Sequence, residues 1–508
     1  MRTSNKIVAL VFWSTLIRIL LSVSVGLGND EVYYRIYADH LEWNYFDHPP
    51  MVGWLIRLFT FNLQFDFPFF IRLTSILSGT ATTVLIYLTG KKWKNENVGF
   101  LAAWIYSITI YGAIIAGTFI LPDSPQVFFW ALGLFAMIHA MDESMEKKMQ
   151  DRWMLLFGIA NGLGLLCKVH MIFLWGAFGI YILFHSRQWF SRWSLYAAAL
   201  LTILFFYPVI HWNIENDFIT YRFHSNRVNN TTGGFRIDTL IPFIIGQFFY
   251  TQFLLFPFFI QAIRKRLLVL RLPGSSITKL LLYSSLPLIL VSFYLSCFNT
   301  VLPHWTGPSY LGICLITADW YCENNKSEIL IKWTKIATIV TVSLLFLSVL
   351  LITFFPGTLG KKGNIDLGSG DFTLDMYGWE QSKNKIDTIL KKDIAAQRMK
   401  KDAVFLSHKW FPAAHEDYYI CKPLKRDILV IGDTMDTHQY AWINPKRKKL
   451  TYKDDAYVLI PSNYYDDPFQ RWGSQFEKIE IADTIPIIRS GACVKKWYLY
   501  RLHGFHSK

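Results

Sequence analysis

The chain has 508 residues; 52% are hydrophobic, 17% aromatic and only 17% charged. A soluble protein of this length carries more charge, so the composition excludes an ordinary soluble globule. The net charge of +14 gathers between apolar runs, which makes it partly topological and calls for no nucleic-acid partner.

Taken in chain order, apolar runs long enough to cross a hydrocarbon core are predicted near 6–27, 70–90, 97–117, 125–141, 153–167, 169–185, 193–213, 240–263, 279–298, 303–321 and 329–356. That makes about eleven spans, with roughly thirteen as an upper count. Arg2 and Lys6 precede the first run, and no small-residue cleavage pattern stands before Asp30, so the run reads as an uncleaved anchor. Connections bearing Lys91, Lys92 and Lys94, then Lys147, Lys148 and Arg152, then Arg187 and Arg192, then Arg264, Lys265, Arg266 and Arg271 all fall on the N-terminal side. The positive-inside rule puts that side in the cytoplasm. The expected location is the inner (plasma) membrane, with the 28–69 loop and the residues after Pro356 outside.

After Pro356 the pattern changes. Glycines at 360, 363, 368 and 370 lead to an expected helix around 381–400 and short β-rich runs at 403–407, 428–431, 456–460 and 495–502. The expected division is therefore an all-α polytopic bundle over 1–356 and a small extracytoplasmic α/β domain over 357–508. The six cysteines form no CxxC pair; Cys421 and Cys493 share the outer domain, and their pairing stays open. No internal repeat is present. The glycines near 368–370 lack the strand–turn–helix context of a nucleotide loop.

Polar groups out of keeping with their apolar surroundings collect on the outer side. Asp30-Glu31 follows the first span; a carboxylate there suits general-base chemistry in a partly apolar site, and equally the first turn of a helix. Asp47-His48-Pro49-Pro50 stops any preceding helix ahead of a surface-lying apolar stretch, Met51–Phe61. His40 and His48 lack metal-ligand spacing, no cofactor is indicated, and the involvement of a divalent metal stays open. Asp123, in Leu121-Pro122-Asp123-Ser124-Pro125, reads as a helix cap or an oriented carboxylate. Lys168 follows Gly164-Leu165-Leu166-Cys167 at a depth where a charge costs about 2.5–3.5 kcal/mol. It either snorkels to the interface or binds an anion. His304-Trp305 and a long loop with Tyr221, Arg222, His224 and Arg227 offer further contacts; the arginines suit phosphate or a sugar acid. Asn229-Asn230-Thr231 and Asn230-Thr231-Thr232 match glycosylation sequons, a common chance pattern.

In this order, the acidic pair, Tyr45-Phe46-Asp47-His48-Pro49-Pro50, the Pro122–Pro125 turn and Gly162-Leu163-Gly164-Leu165-Leu166-Cys167-Lys168 resemble the bacterial family-39 and family-83 glycosyltransferases. These are relatives of the dolichyl-phosphate-mannose protein mannosyltransferases and of the lipid A aminoarabinose transferase. Val301-Leu302-Pro303-His304-Trp305 and Tyr377-Gly378-Trp379 are similar as well. The resemblance implies a GT-C fold with juxtamembrane helices in the first outer loop, and a sugar donor carried on a polyprenyl phosphate. It places the catalytic acids on Asp30, with Glu31 beside it as a substrate contact, and on Asp123, and the phosphate-binding lysine on Lys168; from the residues themselves, Asp47, His48, Arg222, Arg227 and His304 are expected as further substrate contacts. Lys168-Val169 departs from the family's lysine–glycine or lysine–proline pair. The implied acceptor is a protein, lipid A or another envelope glycan, with inversion at the anomeric carbon. A transporter or lipid-linked sugar flippase, or a non-catalytic envelope assembly protein, would share the hydropathy. Transporters, however, place their groups near the midplane and often show related halves.

Overall fold

The computed structural model describes residues 3–228, 234–271 and 276–506. The chain divides into two units, Met1–Ser22 with Leu41–Leu345, and Val23–His40 with Phe346–Lys508.

The first unit is helical. Its helices include α1 (Thr3–Ser24, whose last two residues fall to the second unit), and then, after the α2 described below, α3 (Met51–Phe59), α4 (Pro68–Trp93), α5 (Glu96–Ile108), α6 (Asp123–Ala140), α7 (Lys147–Leu165), α8 (Ile172–His185) and α9 (Trp193–Glu215). They continue with α10 (Ile219–Val228), α11 (Ile237–Tyr250), α12 (Phe256–Leu267), α13 (Ile277–Ser296), α14 (Tyr310–Glu323) and α15 (Ser327–Phe354). Among the described residues, five stretches are long and apolar enough to cross a membrane: Asn5–Ser24, Pro68–Trp93, Trp193–Glu215, Ile277–Ser296 and Ser327–Phe354. In Trp193–Glu215 and Ser327–Phe354 many apolar side chains face outward, as with Ile203 at 58% and Ile339 at 67% exposure. In water that surface would be unfavourable, whereas lipid chains cover it without cost.

Other predicted runs are interrupted. The 97–117 run breaks where the Thr109 hydroxyl accepts a bond from the Gly112 amide at 2.9 Å, and a π-helical turn, Tyr111–Ile115, follows. The 240–263 run divides into α11 and α12. Between α7 and α8 the chain leaves helical geometry at Lys168 (φ −160°, ψ 135°) before a short 3₁₀ turn, Val169–Met171. Close helix contacts rest on small residues. A Cβ on Gly99 of α5 would lie 2.3 Å from the Tyr87 carbonyl oxygen of α4, so only glycine permits that approach.

The second unit holds α2 (Asn29–Asp39) together with the C-terminal domain. Its five-stranded sheet has the order β2-β1-β3-β5-β4, from β1 (Val404–Ser407), β2 (Ile428–Val430), β3 (Ala456–Pro461), β4 (Phe476–Arg489) and β5 (Ala492–Phe505). The first three pair in parallel and the last two antiparallel. The expected helix near 381–400 is α16 (Lys383–Ala395), and four expected strand regions are strands. Absent from the sequence reading is β4, an edge strand whose Glu477, Lys478, Glu480, Asp483 and Pro486 dilute the hydrophobic signal while blunting the open edge. Within this unit α2 packs on α17 (Trp410–Glu416), with Tyr33 and Trp410 ring centroids 4.8 Å apart. Cys421 and Cys493 are both free thiols. A buried lysine, Lys495 on β5, stands 3.9 Å from the Trp379 ring centroid and donates to the Leu374 carbonyl at 3.2 Å. Burial lowers its pKa to about 7.

Candidate functional site

The acidic pair opens α2 in the second unit. The Glu31 carboxylate turns back and accepts a hydrogen bond from the Gly28 amide at 2.9 Å, half of a capping box. Glu31 is buried by that role, whereas the neighbouring Asp30 side chain is exposed at the positive end of the helix dipole. The preceding residue, Asn29, meets His415 Nε2 through its Oδ1 at 3.0 Å. His415 in turn stacks on Trp379, 3.8 Å between centroids. Asp30 thus sits on a helix turn whose base is anchored by buried aromatic residues.

The first unit assembles the other expected groups. The Asp47–Pro50 segment forms a tight turn, with the Tyr45 amide bonded to the His48 carbonyl at 3.0 Å. Pro50 starts α3, and the Met51 amide donates to the Leu166 carbonyl at 3.0 Å, tying this turn to the C-terminal end of α7 just before Lys168. His224 of α10 donates from Nε2 to the Asp47 carbonyl oxygen at 2.8 Å, and its ring lies 6.1 Å from that of His48. Burial lowers the His48 pKa to about 4, outweighing the Asp47 carboxylate, and His224 and Lys168 add to the lowering. His48 is therefore a neutral donor and acceptor near pH 7.

Asp123 and Lys168 are the centre of this cluster. Lys168 Nζ donates to both Asp123 oxygens, at 3.0 and 2.9 Å, and their side chains are only 6% and 3% exposed. Asp123 is placed by the first turn of α6, which the Ser124 hydroxyl braces by donating to the Phe119 carbonyl at 2.8 Å. Lys168 reaches it because its extended backbone carries the side chain inward. Gly164 leaves room for the following turn: a Cβ there would stand 2.7 Å from Met171 Cγ. In a buried pair of this kind each group partly offsets the other's lost hydration, so removing one partner is costly. The ammonium also lies 5.9 Å from the Trp305 ring centroid, and that ring is 5.5 Å from His170.

His48, His170 and His304 all lie within electrostatic reach of both Asp123 and Lys168. His304 adds an aromatic neighbour, Tyr250, at 6.2 Å. The structure thus brings together Asp47, His48, Asp123, Lys168, His224 and His304 from segments far apart in sequence. It also places Trp305, expected beside His304 as a further contact, and adds His170 and Tyr111, to which the sequence assigns no role. The Tyr111 hydroxyl is buried without a hydrogen-bond partner among the described residues and interacts electrostatically with Asp123. His170 had a signal, since it stands two residues past an out-of-place lysine; Tyr111 had none within an apolar run. Arg222 is exposed on α10. The Arg227 side chain and both sequons lie outside the described residues. Among the described residues no group of three or more His, Cys, Asp or Glu side chains is placed to hold a metal ion.

Residues 47–212 match the model of the dolichyl-phosphate-mannose-protein mannosyltransferase family. The chain is 22% identical over 306 residues to the lipid A galacturonosyltransferase RgtD of Rhizobium johnstonii. That match takes in 60% of this chain and 61% of the relative, so it spans about three-fifths of the relative's length. Among solved structures, ArnT from Cupriavidus metallidurans in the apo state superposes with a TM-score of 0.62 at 13% identity, over 99% of this chain and 98% of that one. The same enzyme bound to undecaprenyl phosphate gives 0.64 at 13% identity, over the same shares. The chain thus shares the fold of these solved structures, and its residues 47–212 resemble the dolichyl-phosphate-mannose-protein mannosyltransferases. It is a multi-pass membrane protein. The matched segment 47–212 contains Asp47, His48, Asp123 and Lys168, while Asp30 and Glu31 precede it.

Proposed function

We propose that this protein is a membrane glycosyltransferase that moves a sugar from a polyprenyl-phosphate-linked donor to an envelope acceptor, with inversion at the anomeric carbon. The observation that carries the reading is the buried Lys168–Asp123 pair among imidazoles, a preorganised site for a phosphate that gains charge as it departs. An ArnT structure holding undecaprenyl phosphate supports the donor class, and a relative named for lipid A supports a lipid acceptor.

In this mechanism the acceptor hydroxyl oxygen attacks the anomeric carbon as the bond from that carbon to the phosphate oxygen breaks. The bonding pair leaves with the phosphate, and the hydroxyl proton passes to the Asp30 carboxylate, the exposed acid of the pair. Lys168 stabilises the developing phosphate charge, with hydrogen bonds from His48 and His304 in support. Both Asp123 oxygens are engaged by Lys168, so Asp123 serves to aim the ammonium. Asp47 and Glu31 shape the loop and helix that present these groups, and exposed Arg222 supplies positive charge toward anionic parts of the substrate; the contact expected from Arg227 falls on a side chain outside the described residues. We assign residues 1–356 to the membrane domain, crossing about eleven times, and 357–508 to an extracytoplasmic domain. The N-terminus is cytoplasmic and the membrane is the inner one.

The test is transfer from a labelled polyprenyl-phosphate sugar by the purified protein in vesicles. Lys168→Gln is expected to lower transfer by about 10²–10³-fold, the usual loss for one oxyanion donor, and Asp30→Asn to abolish it while leaving the fold intact. Full transfer by correctly folded Asp30→Asn and Asp123→Asn, or movement of the intact lipid without transfer, overturns the assignment.

A further inference from the structure

Away from that site, α12, α14 and the start of α15 enclose a cavity of about 1310 Å3. Its lining includes Arg264, Lys265 and Lys326, facing a single carboxylate, Glu328. Nearby cations are neutralised: Arg266 pairs with Asp319 at 2.6 Å and with Glu323, and Lys94 pairs with Asp319 at 3.3 Å. Among the described residues, Arg264, Lys265 and Lys326 form no ion pair; Lys326 only lies over the Trp320 ring at 5.4 Å. All three are exposed. The remaining wall is apolar and open, with Ile260 44%, Leu268 58% and Ile329 49% exposed. Tyr321, whose hydroxyl donates to Gln261, joins two walls. The apolar membrane-crossing run of α15 starts at Ser327, the residue after Lys326, so the cavity stands where hydrocarbon gives way to headgroups.

We propose that this cavity binds an anionic glycerophospholipid, its phosphate among Arg264, Lys265 and Lys326 and its acyl chains along Ile260, Leu268 and Ile329. Cations with no protein counter-charge beside lipid-accessible apolar walls match a ligand that is anionic at one end and apolar at the other. Basic residues at a helix end also satisfy topology alone, and topology alone predicts no difference between this end and any other basic end.

Native mass spectrometry of the full-length detergent-solubilised protein, titrated with dioleoylphosphatidylglycerol or dioleoylphosphatidylcholine, separates the two readings. The first phosphatidylglycerol is expected to bind about tenfold more tightly than phosphatidylcholine. The preference is expected to vanish in R264Q/K265Q/K326Q and to persist in K147Q/K148Q, which alters another exposed basic helix end. No preference in the natural protein, or equal loss in both variants, overturns the proposal. Should the triple variant unfold, Arg264→Gln and Lys326→Gln singly are each expected to weaken phosphatidylglycerol binding about threefold, and unchanged binding in both overturns it.

Discussion

The residue that changes meaning most between sequence and structure is Asp123. In the sequence it is a helix cap or an oriented acid; folded, it accepts both hydrogen bonds from Lys168 deep in the first unit. Asp123→Asn leaves a buried ammonium without its counter-charge and is expected to cost about 3–5 kcal/mol. Replacing both residues by apolar ones of similar size should recover most of that loss, read as thermal unfolding of the solubilised protein. Lys495 makes a second prediction. Its folded pKa, about 7, lies below the ordinary 10.5 because burial opposes the charge. Between those two values the unfolded chain binds a proton that the folded chain lacks, so stability rises with pH across the window by up to about 1.4 kcal/mol per pH unit. Below pH 7 both states are protonated and the full cost of burying the charge remains. Lys495→Met is expected to flatten this slope when the full chain is unfolded at pH 7 to 10. An unchanged slope would assign it to another group.

At the scale of elements, hydropathy located most helices but not their interruptions. Runs such as 97–117 and 240–263 are uniformly apolar, and side-chain bonds such as Gly112 to Thr109 decide where the helix gives way. Strand β4 escaped because its edge position favours charges and proline over an alternating apolar pattern. Helix crossings are likewise set by contacts that composition does not reveal. Gly99→Leu would drive a side chain into the Tyr87 carbonyl and is expected to destroy folding, while Gly176, whose Cβ would meet nothing within 4 Å, should accept leucine. Comparing the yield of monodisperse protein for the two variants checks this; equal yields would mean that the α4–α5 crossing adjusts easily.

For the whole molecule, the charge distribution carries a topology that labelling can test. Glu143→Cys, in the exposed connection before α7, is expected to be shielded from an impermeant maleimide in intact cells. Lys478→Cys, exposed on β4, should react once the reagent passes any outer layer. The opposite labelling pattern would invert the orientation and move the proposed chemistry to the cytoplasmic side.

By itself the sequence determined the membrane character, because apolar runs of this length have no stable place in water. It also determined most helices, the α/β character of the segment after Pro356, and the out-of-place Asp30, Asp123 and Lys168. Only the tertiary structure decided that Lys168 closes on Asp123 and that His170, Trp305 and Tyr111 join them. It likewise gave Glu31 a capping role while leaving Asp30 exposed. Hydropathy and charge act residue by residue along the chain and can be read there. Ion pairs, capping bonds and ring contacts depend on distances between segments separated by tens to hundreds of residues, which exist only once the chain has packed.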